Sequence, residues 1–87
     1  MDNDIKNLKK RIIYRSQYRG TKEMDKLLGS FVKSNIDNFN YKQLLELEKF
    51  LSIDDDSLYK FYNNQTKMLE GISKELNKLY KFHIYKK

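Results

Sequence analysis

The sequence predicts an all-α fold, a compact five-helix antiparallel bundle, and three observations carry that prediction. The chain has 87 residues and no proline, so the strongest helix breaker is absent. Apolar residues recur at helical spacing, most clearly Met24, Leu27, Leu28, Phe31 and Val32 at i, i+3, i+4, i+7 and i+8. Gly20, asparagine-rich stretches and a run of aspartates punctuate the chain into segments with short joints, which favours antiparallel neighbours. No segment alternates over several residues as a strand would. One domain, residues 1–87, accounts for the length, and a chain this size buries only about 60% of its unfolded surface.

The first helix is expected from about Asp4 to Gln17, with Asp4 as N-cap and Ile5, Leu8 and Ile12 on one face. Gly20 is the natural stop, because glycine tolerates the left-handed conformation past a helix C-terminus. The second helix runs from about Thr21 to Ile36, and Glu23 in its first turn meets the positive end of the helix dipole. After the joint Asp37-Asn38-Phe39-Asn40, a third helix spans about Tyr41 to Leu51. Its apolar residues Tyr41, Leu44, Leu45, Leu47, Phe50 and Leu51 form a broad face that neighbours should cover on more than one side. The fourth, about Asp55 to Asn63, takes its cap and first-turn carboxylates from Asp54-Asp55-Asp56 and turns Leu58, Phe61 and Tyr62 inward. The fifth is expected from about Thr66 to His83, with Leu69, Ile72, Leu76, Leu79, Tyr80 and His83 on one stripe and a basic, aromatic tail from Tyr80 to Lys87 that frays.

Composition excludes several functions. With no cysteine there is no disulfide and no thiolate metal site. The single histidine, His83, has no second histidine or cysteine with which to bind a metal, and the serines sit in no nucleophile-elbow context. Asp54-Asp55-Asp56 lacks the alternating ligands, the glycine and the twelfth-position glutamate of a calcium loop, so helix capping is its expected role. No glycine-rich loop matches a phosphate-binding fingerprint. The chain is therefore expected not to be an enzyme. The acidic start Met1-Asp2-Asn3-Asp4 reads as neither a secretory signal nor a transit peptide, and no stretch approaches the roughly 18 apolar residues of a membrane span. A bacterial cytoplasm, rather than a mitochondrial matrix, is the expected location.

The net charge of +6, from 18 basic and 12 acidic residues, raises nucleic acid as a partner. Lys9, Lys10, Arg11, Arg15 and Arg19 cluster in the first helix and its end, interleaved with Tyr14 and Tyr18, as a phosphate-tracking surface would be. Against this, the other basic residues scatter over several faces, and the second helix is too apolar to be a recognition helix. A basic helical nucleic-acid-binding module is thus the alternative, not the leading reading.

The charged turn Arg19-Gly20-Thr21-Lys22-Glu23-Met24-Asp25 is the candidate site. Arg19 ends one helix and Glu23 begins the next, so both side chains are expected to emerge close together and exposed at one end of the bundle. As exposed groups, each should contribute no more than about 1 kcal/mol to stability.

The string from Arg11 to Phe31, containing Arg19-Gly20-Thr21-Lys22-Glu23-Met24-Asp25, closely resembles the SdhE family, the flavinylation assembly factors of succinate dehydrogenase, whose signature is Arg-Gly-x-x-Glu. A second block, Leu51 to Tyr62, resembles that family's Asp-x-Asp-Leu-x-x-Trp segment. The likeness runs in order from about Leu8 to Tyr62. Tyr18 stands where many members have another arginine, and Ser57 and Phe61 replace the usual aspartate and tryptophan. The resemblance implies binding to the flavoprotein subunit of succinate dehydrogenase, with fumarate reductase as a further client where it occurs, and promotion of covalent FAD attachment to a histidine of that client. It implies no stably bound cofactor of the chain's own, no nucleic-acid partner, no membrane insertion and a monomer when free. Carried over by position, Arg19, Gly20 and Glu23 form the partner-binding motif, with Arg15, Asp25 and Arg11 flanking it.

Overall fold

Each helix that follows a turn starts at a polar side chain that accepts one of the backbone N–H groups left unpaired there. In the computed structural model, which describes residues 2–84, the helices are α1 (Asp2–Gln17), α2 (Lys22–Asn35), α3 (Tyr41–Phe50), α4 (Asp55–Tyr62) and α5 (Lys74–Lys81), with a 3-10 turn at Ile36–Asn38. Thr21, Asn40, Asp54 and Ser73 cap α2 to α5 by accepting from Met24, Gln43, Ser57 and Leu76 respectively. Asn40 and Gln43 complete a reciprocal capping box, both bonds at 2.8 Å. The described residues contain five helices and no strand, as the sequence predicts. The radius of gyration, 12.3 Å, is that of a packed chain of this length, about 12 Å.

Leu8 and Ile12 of α1 pack on Leu27, Leu28, Phe31 and Val32 of α2, with α3 closing a second side of α1. The centre of the core is aromatic. Tyr80 of α5 is fully buried, with ring centroids 5.4 Å from Phe31, 5.0 Å from Phe50 and 5.4 Å from Tyr62. Its hydroxyl donates to the Leu58 carbonyl of α4 at 2.9 Å, and burial pushes its ionisation well above the ordinary tyrosine range. Tyr80 thus belongs to the core, not to a fraying tail. The end of that predicted tail, residues 85–87, lies outside the described residues.

Four further expectations need correction. α1 is already helical at Asp2, so Asp4 lies inside its first turn and does not cap it. On α3, Tyr41 and Leu45 are exposed, because α1 and the core cover only the side carrying Leu44, Leu47 and Phe50. Leu79 is exposed on α5. Residues 66–73 are not helical. Asn64 takes a left-handed conformation (φ 63°) just past α4, and Gly71 another (φ 79°) before α5. The stretch between them is organised by the buried Asn77 of α5. Its side chain accepts from Leu69 N–H at 2.9 Å and donates to the carbonyls of Ile72 (3.1 Å) and Ser73 (2.9 Å). Leu69 and Ile72 are buried as the sequence implies, but from a loop rather than a helix face.

Candidate docking turn

The α1–α2 turn is built around Arg19, and its geometry corrects the expectation that this side chain is exposed. The Arg19 side chain is only 11% exposed. Its Nε donates to Asp55 Oδ1 at 2.7 Å, Nη1 to the Leu51 carbonyl at 2.5 Å and Nη2 to the Ile53 carbonyl at 2.7 Å. Those two carbonyls lie at and just beyond the C-terminal end of α3, where backbone acceptors lack intrahelical partners and positive charge is favoured. Asp55 is in the first turn of α4. One planar guanidinium therefore joins the α1–α2 turn to the α3–α4 turn. The sequence reading missed Asp55 as a partner, because 36 residues separate it from Arg19.

Gly20 also serves this junction. Its N–H donates to Asp55 Oδ2 at 2.8 Å, and a Cβ at this position would meet that same oxygen at 3.0 Å. Gly71 is the glycine with positive φ among the described residues, so Gly20 is not a left-handed helix stop. What it supplies is room for the carboxylate. Asp25, from the first turn of α2, accepts the Arg19 backbone N–H through Oδ1, holding the turn from the other side.

Glu23 is exposed, as expected. It shares with Thr21, Met24, Asp55, Asp56 and Tyr59 the lining of a shallow depression of about 350 Å³ between α2 and α4. Of the six sequence-predicted residues, the structure brings Arg19, Gly20 and Asp25 together in the junction and places Glu23 on its rim. Arg11 and Arg15 lie farther back on the exposed face of α1, against Glu48 of α3. Arg11 donates through Nε to Glu48 Oε2 and through Nη2 to Oε1 at 3.2 Å, and Arg15 approaches at 3.8 Å. The hydrogen bond from Arg11 holds the Glu48 carboxyl below the usual carboxylate range, and raises Arg11 in turn. Tyr14 and Tyr18 are exposed beside them, with ring centroids 4.5 Å apart.

This pairing does not support the nucleic-acid alternative. Arg11 and Arg15 face Glu48, Arg19 is half-buried against Asp55, and Lys9 reaches Asp37 at 3.4 Å. The cluster that reads as a cationic stripe in sequence is partly matched by carboxylates in space, with Glu48, Asp55 and Asp37 each holding at least one of its cations, which weakens it as a phosphate track.

One serine does meet the histidine. Ser30 Oγ lies 2.9 Å from His83 Nε2. Ser30 is mid-helix in α2, where the neighbouring N–H groups are used by the helix and cannot form an oxyanion hole, and among the described residues no carboxylate pairs with His83. The contact, with the His83 ring 5.5 Å from Phe31 and the His83 carbonyl accepting from Tyr62 at 2.5 Å, fastens the chain beyond α5. Burial lowers the His83 pKa. Among the described residues no group of three His, Asp or Glu side chains could hold a metal, and no helix is long and apolar enough to cross a membrane.

Fold and site together define a small helical protein whose α1–α2 turn is charged and held by hydrogen bonds to Asp25, Asp55 and the α3–α4 turn. Residues 10–83 match the family described as "Flavinator of succinate dehydrogenase", and the chain belongs to that family. It is 31% identical over 80 residues to "Succinate dehydrogenase assembly factor 2, mitochondrial" of Dictyostelium discoideum, covering 92% of this chain and 57% of the relative. It is 36% identical over 50 residues to "FAD assembly factor SdhE" of Acetobacter pasteurianus, covering 58% of this chain and 46% of the relative. The chain thus spans about half the length of these curated relatives. No solved structure matches it significantly.

Proposed function

We propose that this chain is an assembly factor that binds the flavoprotein subunit of succinate dehydrogenase, and that of fumarate reductase where present, and promotes covalent attachment of FAD to it. The observation that carries the reading is the family match over residues 10–83. FAD is then the client's cofactor, held by the client, and this chain is not the enzyme of the reaction. What it contributes is positioning: binding favours the client conformation in which the flavin ring faces its acceptor histidine.

The geometry supports different work for the residues of the turn. Arg19, Gly20 and Asp25 make the turn rigid, so it is ordered before it meets a partner and less entropy is lost on docking. Glu23, exposed on the rim, meets the client directly. Arg11 and Arg15 offer a paired, partly neutralised surface along α1 that extends the contact.

The test mixes apo-flavoprotein subunit, FAD and each variant, then reads covalent flavin by in-gel fluorescence. Glu23→Ala is expected to keep the fold and to lower the rate of flavinylation by about tenfold or more. A folded Glu23→Ala protein that flavinylates at the wild-type rate would remove Glu23 from the contact. Absence of any stimulation by the wild-type chain would overturn the function itself.

A further inference from the structure

Three consecutive aspartates precede and open α4, and the structure gives each a different task. Asp54 caps the helix, accepting from Ser57 N–H at 3.0 Å and Ser57 Oγ at 2.8 Å. Asp56 is exposed and pairs with Lys60 of its own helix at 3.0 Å. Asp55 instead reaches out of α4 and commits both carboxylate oxygens to the α1–α2 turn, one to Arg19 Nε and one to Gly20 N–H.

We propose that Asp55 is the positioning residue of the docking turn, fixing through Arg19 and Gly20 the orientation in which Glu23 is presented. This rests on the reading of that turn as the docking element. Two bonds from one carboxylate to a side chain and to the next residue's backbone fix direction as well as distance. The guanidinium plane is itself set by the Leu51 and Ile53 carbonyls, so Asp55 grips an anchored group. On the opposite side Asp25 holds the Arg19 N–H, leaving residues 19 and 20 between two carboxylates. Glu23 follows Gly20 by less than one helical turn, and it lines the same depression as Asp55.

Without Asp55, Arg19 keeps two carbonyl bonds, so the helices stay joined, while the Gly20 amide loses its acceptor. Loss of Asp55 therefore loosens the turn locally and leaves the core intact. The experiment compares wild type, Asp55→Ala, Asp55→Asn and Glu23→Ala by amide hydrogen exchange and by flavinylation of the client subunit at saturating assembly factor. In Asp55→Ala, exchange at Gly20 is expected to accelerate by about tenfold while core amides such as Leu28 and Tyr80 keep their protection relative to one another. The maximal flavinylation rate should fall by about ten- to a hundredfold, as a misplaced positioning element produces, with client affinity close to wild type. Equal loss of protection at Gly20 and throughout the core would make Asp55 a general stabiliser and overturn the proposal. So would wild-type flavinylation by Asp55→Ala beside impaired Glu23→Ala. Wild-type flavinylation by both would instead overturn the docking reading, and the proposal with it. If the alanine variant fails to fold, Asp55→Asn, which keeps the shape and one acceptor, decides by the same criteria.

Discussion

Two arginine sites on α1 and its end, eight residues apart, differ in every property that matters. Arg11 sits on the open face of α1 and meets Glu48 with its own side chain 51% exposed. Arg19 lies in the turn, 11% exposed, and satisfies two backbone carbonyls besides Asp55. Water can take over the partners of the first arginine if it is lost, but much less readily those of the second. The comparison shows that an arginine in a charged motif can owe its place to folding as much as to binding, and that burial and the kind of acceptor distinguish the two.

The largest expected effect is therefore at Arg19. Replacing it with alanine should cost about 2–4 kcal/mol, because the Leu51 and Ile53 carbonyls and the Asp55 carboxylate lose their partner together. Urea unfolding would measure it, and a loss below about 1 kcal/mol would place Arg19 with the exposed pairs. A lysine there should recover only part of the loss, since an ammonium lacks the planar fork that reaches three acceptors.

Gly20→Ala comes next, at about 1 kcal/mol, because the new Cβ presses on Asp55 Oδ2 at 3.0 Å and the carboxylate has to shift. The expected companions to that cost are displaced amide resonances at residue 20 itself and at Arg19. A neutral effect on both stability and resonances would show that the junction has slack.

Acid sharpens the contrast from the other side. The Glu48 carboxyl is held below its ordinary value, chiefly by the Arg11 hydrogen bond. Its contribution to stability is present above the unfolded carboxylate pKa, about 4.3, and is lost as pH falls through the lower folded value. Thermal melts from pH 6 down to about 3 should therefore slope less steeply in Glu48→Gln than in wild type. Identical slopes would mean that the pair contributes nothing.

Smallest of all is Arg11→Ala, which should lower the melting temperature at neutral pH only slightly and flatten the acid slope as Glu48→Gln does, because half of its side chain is exposed and Arg15 remains near Glu48. A marked drop would erase the distinction between the two arginines.

Much of the fold is legible along the chain. The starts of α2, α3 and α4 follow from Thr21, Asn40 and Asp54, whose partners lie three residues on. The α2 stripe is buried as its spacing implies. The motif that places the chain in its family is contiguous from Arg19 to Glu23, and is read from residue order alone. The failures at Arg19 and Gly20 come from a partner distant in sequence, Asp55, whereas the failure between α4 and α5 comes from nearer residues. Residues 66–73 have helical apolar spacing, yet Asn64, Gly71 and the reach of Asn77 hold them in a loop.

Residue order fixes whatever depends on neighbours within a turn or two: helix identity, caps, apolar faces and the family motif. Packing in three dimensions makes Arg19 a half-buried clasp rather than an exposed contact, gives Gly20 to a carboxylate rather than a left-handed turn, and sends Asp55 alone among three aspartates out of its helix. The physical reason is that the acceptors of Arg19 lie 32 to 36 residues away in sequence. Local spacing carries no information about such partners. They come within hydrogen-bonding distance only once the aromatic core has brought the ends of α1 and α3 together.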